Sequence, residues 1–198
     1  MYNCIYSGHC FEQDQCDNAC PVLAQTSYLL ERNGIQMNSE VFHSDPEVLK
    51  KYVNISEKAK GKICSVIEQT STTYAADMLT YCNICTNWQG SQLHCTVYNL
   101  KFSQYIDMLQ KSWNSPGANN SEIDYIKIWI STAKVLIISN IDFVNFRDFQ
   151  CQTILSLIQS RSNPDLTTII VSPPVSHLVG DGPFFTRLTD IVSKQKVV

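Results

Sequence analysis

Four of the nine cysteines fall within the first twenty residues: Cys4, Cys10, Cys16 and Cys20. Their spacing, C-x5-C-x5-C-x3-C with His9 beside Cys10, places four thiols where one metal ion could gather them. Zinc takes four thiolates in a tetrahedron, with zinc–sulfur distances of about 2.3 Å. A segment this short cannot bury enough apolar surface to hold its own shape, so metal binding would also supply its folding energy. The expectation is a Zn2+ site on Cys4, Cys10, Cys16 and Cys20, with His9 able to replace Cys10. Two alternatives stay open. The same thiolates could hold an iron–sulfur cluster, since Cys20-Pro21 matches the end of ferredoxin cysteine runs, or the four could be free or packed thiols.

Cys82 and Cys85 form a C-x-x-C pair, with His94 and Cys95 following. Such a pair serves redox exchange or half a zinc site when it sits on a loop. Here it lies within TYAADMLTYCNICTNW (residues 73–88), whose apolar residues recur at helical spacing. On a helix the two thiols are i and i+3, and small buried cysteines on a core helix are the expectation.

Composition limits the rest. With 198 residues and 44% hydrophobic content the chain suits one domain, or one domain with a small appendage, and disorder is excluded as the main state. A net charge of -3 with 15 basic residues argues against a protein that coats nucleic acid, though not against a local basic patch. No basic n-region with an apolar h-region opens the sequence, and no run is long enough to span a membrane. A cytoplasmic protein without a membrane partner is expected, in which thiols stay reduced.

The elements that must position these residues alternate. Residues 21–33 read as a helix with Pro21 at its start and Gly34 just past its end. Residues 46–61 are polar and lysine-rich, with one short helix near 47–53, and read as a linker. Strands are predicted at 62–67, 93–99, 134–141 and 167–172, and helices at 72–86, 102–113, 122–132, 146–161 and 183–193. A turn-rich loop, NSPGANNS, covers 114–121. Short apolar strands alternating with helices predict an α/β fold with a parallel sheet flanked by helices.

The sequence resembles the P-loop (AAA+) ATPase domain of bacterial and phage replicative helicase loaders of the DnaC/DnaI type. Three stretches carry the resemblance. The cysteine-rich start looks like the small zinc-binding, helicase-contacting module of such loaders. Val135–Asp142 (VLIISNID) looks like their Walker B strand. TTIIVSPPVSHL (167–178) followed by FFTRL (184–188) looks like the sensor strand and the arginine-finger helix. The resemblance implies a P-loop NTPase-like core at 62–198, a partner-interaction module at 1–45 and a linker at 46–61.

The chain departs from that pattern at the chemistry. A P-loop needs glycines so that amides can approach phosphate, a lysine for the β- and γ-oxygens, and a hydroxyl for Mg2+. The matching stretch is Gln69-Thr70-Ser71-Thr72-Thr73-Tyr74-Ala75. Ser71 stands at the lysine position, and only Thr72 keeps its role, as the hydroxyl. Ser139 and Asn140 stand where two acids are implied, Asp142 comes two positions late, and Pro173 stands at the sensor position. Groups of this kind each contribute orders of magnitude in rate. The expectation is a pseudo-ATPase with no catalytic residues, no meaningful ATP hydrolysis and no tight nucleotide binding. Its nucleotide-site remnants would be Ser71, Thr72, Ser139 and Asn140.

Arg187 matches the arginine that reaches a neighbour's nucleotide in the family. The resemblance therefore implies a trans arginine finger in a hetero-oligomer, against the alternative of a surface arginine paired with Asp190 at i+3. Lys50, Lys51, Lys58, Lys60 and Lys62 form a basic run that could touch single-stranded DNA weakly, or simply be solvated beside Glu47 and Glu57. Tyr98, Phe102, Tyr105 and Trp113 are expected as core aromatics rather than stacking platforms. His43, His94 and His177 have no catalytic partner spacing.

Three functions are weighed. The first is a non-catalytic helicase-loader-like protein that binds a replicative helicase or a loader ATPase and modulates helicase loading in DNA replication. The second is an active loader ATPase with an eroded P-loop. The third is a zinc-dependent regulatory or nucleic-acid-binding protein.

Overall fold

Among the described residues two helices precede the first strand, and both belong to the core. The computed structural model describes residues 21–36, 44–89, 92–93, 95–114 and 121–196. Its elements are α1 (Pro21–Arg32), α2 (Pro46–Ala59), β1 (Ile63–Ile67), α3 (Thr72–Thr86), β2 (Trp88–Gln89), β3 (Gln92–Leu93) and β4 (Val97–Lys101). They continue with α4 (Phe102–Asn114), α5 (Ser121–Thr132), β5 (Val135–Ser139), β6 (Asn145–Phe146) and α6 (Asp148–Ser160), then β7 (Thr167–Ser172), β8 (Val179–Gly180) and α7 (Gly182–Lys194). Short 3-10 turns cover Ile141–Phe143 and Val175–His177.

The main sheet is parallel with strand order β1-β7-β5-β4. Ile63 pairs with Thr168, Leu136 with Thr168, and Val97 with Val135. Both faces are covered, which is why the strands read as continuous apolar runs. Cys64, Val66, Val135, Ile137, Ile169 and Val171 point into a core shared with α1, α2 and α3. The alternate residues Leu136, Ile138 and Ile170 point into a second core with α4 to α7. The α/β expectation with a parallel sheet and flanking helices therefore holds, and the strand at 167–172 and the helix at 72–86 match their predicted bounds. The predicted strand at 93–99 is displaced: residues 92–93 pair with 88–89 as a small hairpin, and the sheet strand starts at Val97.

The linker expected at 46–61 is corrected. α2 is a helix whose Asp45 side chain accepts a hydrogen bond from the Glu47 amide at its start, and its Tyr52, Ile55, Ser56 and Ala59 are buried. The physical reason lies in α3. That helix is apolar nearly all round, so the sheet can cover only one side and a second cover is required. α2 supplies it, and α1 adds Leu30. Asn83 donates to Ser56 Oγ at 2.9 Å, and Ser56 in turn donates to the Tyr52 carbonyl at 2.9 Å.

α1 ends on Gly34 at φ 75°, with Gly34 N–H donating to the Glu31 carbonyl and Ile35 N–H to that of Leu30. This left-handed cap turns the chain so that Asn33 Oδ1 accepts from the Asn99 amide at 2.6 Å, satisfying the outer edge of β4.

Candidate functional site

In parallel α/β sheets ligands bind beyond the carboxyl ends of the strands. Here that end carries a cleft of about 330 Å3 whose lining includes Glu68, Thr70, Ser71, Thr72, Asp142 and Pro173. It lies where β1 turns into α3, the place the sequence assigned to a P-loop.

The β1–α3 connection is residues 68–71, with no glycine and no positive φ. A phosphate-cradling nest needs successive amides turned to one point, and glycine normally permits that turn. Here an internal anion takes the amides. Glu68 Oε1 accepts from Gln69 N at 3.0 Å, from Thr70 N at 3.5 Å and from Thr70 Oγ1 at 3.2 Å. Its Oε2 accepts from Lys51 Nζ and from the Tyr52 hydroxyl, each at 3.3 Å. Partial burial alone would raise the Glu68 pKa, but Lys51 and the hydrogen bonds from Lys51 and Thr70 hold it below the ordinary carboxylate value. Burial, and then the Glu68 charge, pushes the Tyr52 hydroxyl upward. Ser71 caps α3, its Oγ accepting from Tyr74 N at 3.2 Å. Backbone amides that would face a phosphate are thus engaged by the chain's own oxygens.

The hydroxyl of Thr72 donates to Asp142 Oδ2 at 2.8 Å. Asp142 sits two positions past the strand-end pair, yet it reaches the cleft. Asn140 adopts the left-handed region at φ 57°, which folds Ile141–Phe143 into a 3-10 turn back over α3. Asp142 Oδ1 is buried with no hydrogen-bond partner. Asn140 Oδ1 faces Thr73 Oγ1 at 3.5 Å.

The four predicted remnants separate. Ser71 and Thr72 line the cleft, and Asn140 touches its margin. Ser139 does not: its hydroxyl donates to Asn99 Oδ1 at 2.7 Å in a buried polar row. That row continues from Asn99 Nδ2 to Asp77 Oδ1 at 3.3 Å. Burial raises the Asp77 carboxyl to about 6, with Lys101 opposing it. Sequence reasoning missed Asp142 as a cleft residue and Glu68 altogether. Glu68 directly follows an apolar strand, the one signal that could have marked it.

Arg187 is exposed on α7, and Asp190 pairs with Lys194 at 2.8 Å rather than with Arg187, the alternative weighed from the sequence. The basic run splits: Lys51 joins Glu68 at the cleft, while Lys60 pairs with Glu57 at 2.8 Å on the opposite end of α2. Phe102 and Tyr105 are core residues, as expected, whereas Trp113 is 58% exposed with its ring 4.6 Å from that of Phe149. His177 is exposed at the cleft rim; His43 and His94 lie outside the described residues.

Cys64, Cys82, Cys85, Cys95 and Cys151 are buried and form no disulfide with one another. Burial pushes Cys64 and Cys82 up to about 12 and Cys95 and Cys151 up to about 11, which removes the thiolate that redox or metal chemistry needs. The C-x-x-C pair is therefore core, as its helical setting predicted. Among the described residues no group of three or more His, Cys, Asp or Glu could hold a metal ion. Cys4, Cys10, Cys16 and Cys20 lie outside the described residues. No described helix is long and apolar enough to cross a membrane.

The sequence matches no protein-family model and no curated protein. Among solved structures, the fold is similar to that of a replication initiator DnaA bound to AMPPCP and single-stranded DNA, with a TM-score of 0.53 at 11% identity, over 85% of this chain and 48% of that one. A second similar structure is a DNA replication initiation factor, with a TM-score of 0.49 at 9% identity, over 76% of this chain and 43% of that one. The chain spans about half the length of these proteins. The likeness is one of fold. A parallel sheet flanked by helices, arranged as in part of that replication initiator, is the architecture of this chain, and the likeness does not single out helicase loaders.

Proposed function

We propose that this chain is a non-hydrolysing AAA+-like protein of DNA replication that works by binding other proteins, a replicative helicase or a loader ATPase, and modulating helicase loading. The observation that carries this reading is the Glu68 carboxylate on the Gln69 and Thr70 amides. A phosphate brought to that loop would meet a negative charge where a P-loop offers N–H groups and a lysine, and repulsion replaces attraction. The fold then serves as a body for contacts. The cysteine-rich segment preceding α1 would form the partner-interaction module, held by Zn2+ on Cys4, Cys10, Cys16 and Cys20, since α1 itself packs into the core, and Arg187 would be offered from α7 to a neighbour's nucleotide in a hetero-oligomer. The exposed position of Arg187 is compatible with that role.

Affinity capture with the full chain and with a Cys16→Ser, Cys20→Ser variant tests the reading. Recovery of a helicase or loader ATPase with the wild type, lost in the variant, is the expected result, together with one zinc per chain by elemental analysis. Capture of neither protein would overturn it. For Arg187, the Arg187→Ala variant should lower the ATPase rate of the captured partner; an unchanged rate discards the finger.

A second reading is favoured by one observation. Thr72 and Asp142 place two oxygen donors together, with Asp142 Oδ1 buried and unpartnered, the kind of pair a divalent cation takes. An eroded site would then bind Mg2+-nucleotide weakly, as an active loader would. Calorimetry with ATP, with and without Mg2+, separates the two: heat that a Thr72→Ala change abolishes supports the second reading, and none supports the first.

A further inference from the structure

We propose a second binding surface at the opposite end of the sheet, specific for the phosphodiester backbone of duplex DNA. It is built from Lys58 in the last turn of α2, Lys62 just before β1, Lys194 in the last turn of α7 and Lys196 just beyond it. Together they line an open hollow of about 440 Å3 with Ile63, Cys64 and Gln195. All four lysines are exposed.

The fold assembles this cluster from segments far apart in sequence. Ser65 N–H donates to the Gln195 carbonyl at 2.8 Å, Ser65 Oγ bonds the Val192 carbonyl, and Ser65 and Lys196 form a parallel bridge. The segment after α7 is thereby fixed along the free edge of β1, and its lysines stand beside those that end α2. Lys60 and Lys134 lie at the same end of the sheet, Lys60 three residues before β1 and Lys134 directly before β5. Among the described residues the carboxylates nearest these lysines along the chain are Glu57, Asp165 and Asp190, and Glu57 and Asp190 pair with Lys60 and Lys194. Among those residues, six lysines against three carboxylates make this end positive in a chain whose net charge is -3. A helix C-terminus favours a nearby lysine, which accounts for Lys58 and Lys194. It does not account for Lys62 and Lys196, which lie outside helices and line the same hollow.

Among the described residues the hollow's lining contains no aromatic side chain, so these residues offer no platform for stacking unpaired bases. Its attraction is for closely spaced phosphates, and duplex DNA presents one charge per about 1.7 Å of axis. This surface lies away from the Glu68 cleft, so its DNA binding is independent of nucleotide and does not rest on the function proposed above.

Fluorescence anisotropy with a labelled mixed-sequence duplex and its single strand tests the site on the full chain. Three neutralised phosphates predict a slope of log K against log salt of about -2.7, or roughly 40-fold weaker binding for a fourfold rise in salt. The Lys62→Ala, Lys196→Ala variant should bind the duplex at least about tenfold more weakly at low salt, with a slope shallower by about 2. Lys127→Ala on α5 should bind as the wild type does. Circular dichroism melting confirms that the variant is folded; if it is not, the single Lys62→Gln and Lys196→Gln variants should each cost about one unit of slope. An unchanged affinity and slope, no duplex binding at low salt, or tighter binding of the single strand than of the duplex would overturn the proposal.

Discussion

Thr72 and Asp142, seventy residues apart, meet through a hydrogen bond of 2.8 Å that ties the start of α3 to the turn after β5. The bond closes one wall of the cleft and, among the described residues, is the hydrogen bond that satisfies the Asp142 carboxylate, whose other oxygen is buried with no partner among them. Replacing Thr72 by Val keeps the shape and removes the donor. The Thr72→Val variant is expected to lose about 1–2 kcal/mol of stability by urea denaturation, the usual cost of leaving a buried acceptor unsatisfied. A double-mutant cycle with Asp142→Asn should show the two changes to be non-additive by about 0.5–1.5 kcal/mol; strict additivity would mean that the bond contributes nothing.

Glu68 should make stability fall with acid. Its folded pKa lies below the unfolded value, so ionised Glu68 stabilises the fold above the unfolded pKa of about 4.3, and that contribution disappears as pH falls through the folded pKa. Chemical denaturation of the wild type and of Glu68→Gln as a function of pH should show the wild type ahead at neutral pH. The gap should shrink steadily below about pH 4. A gap that does not depend on pH would remove the Lys51–Glu68 pair as its source.

Asp77 has the opposite sign. Its folded pKa is raised to about 6 by burial, so the native state holds the proton more tightly, and stability present at low pH is lost as pH rises through that value. Asp77→Asn keeps an acceptor for Asn99 and removes the buried charge. At pH 8 the variant is expected to be more stable than the wild type by about 1–2 kcal/mol, and at pH 4 the two should coincide. Equal stabilities at both pH values would mean that the carboxylate is solvated.

Arg161 is buried, with no carboxylate partner among the described residues. Its guanidinium donates to Thr168 Oγ1 and to the carbonyls of Ile130, Ala133 and Thr167, joining the ends of α5 and α6 to the start of β7. Burial lowers its pKa to about 10. Arg161→Met fills the volume and leaves three carbonyls short of a donor, so a loss of about 2–4 kcal/mol is expected by thermal or urea unfolding. A loss below about 1 kcal/mol would mean that water replaces the guanidinium.

Much of the fold was legible because its signals are local. KICSVI, KVLIISNI and TTIIVS are apolar runs too short for helices, and each became a strand buried on both faces. Pro21 and Gly34 marked the limits of α1 through their own backbone preferences. The segment 46–61 was misread because its lysines and glutamates mark only the outer side of α2. Tyr52, Ile55 and Ala59 on the inner side had meaning only once α3 was seen to need a second cover. Of the site, Ser71 and Thr72 were legible as relics of a motif, while Ser139 was misplaced because its hydroxyl turns to Asn99.

By itself the sequence determined the alternation of strands and helices, the loss of a lysine and glycines at the β1–α3 turn, and the burial of Cys82 and Cys85 on α3. These depend on periodicity and residue type, which act over a few neighbours. Only the tertiary structure decided that β7 lies between β1 and β5, that Asp142 bonds Thr72, that Glu68 takes the loop amides, and that Lys58 and Lys62 stand beside Lys194 and Lys196. Each of these joins groups whose separation along the chain carries no information about distance. They are fixed by which faces must be buried together, and by the left-handed turn at Asn140 that no apolar pattern encodes.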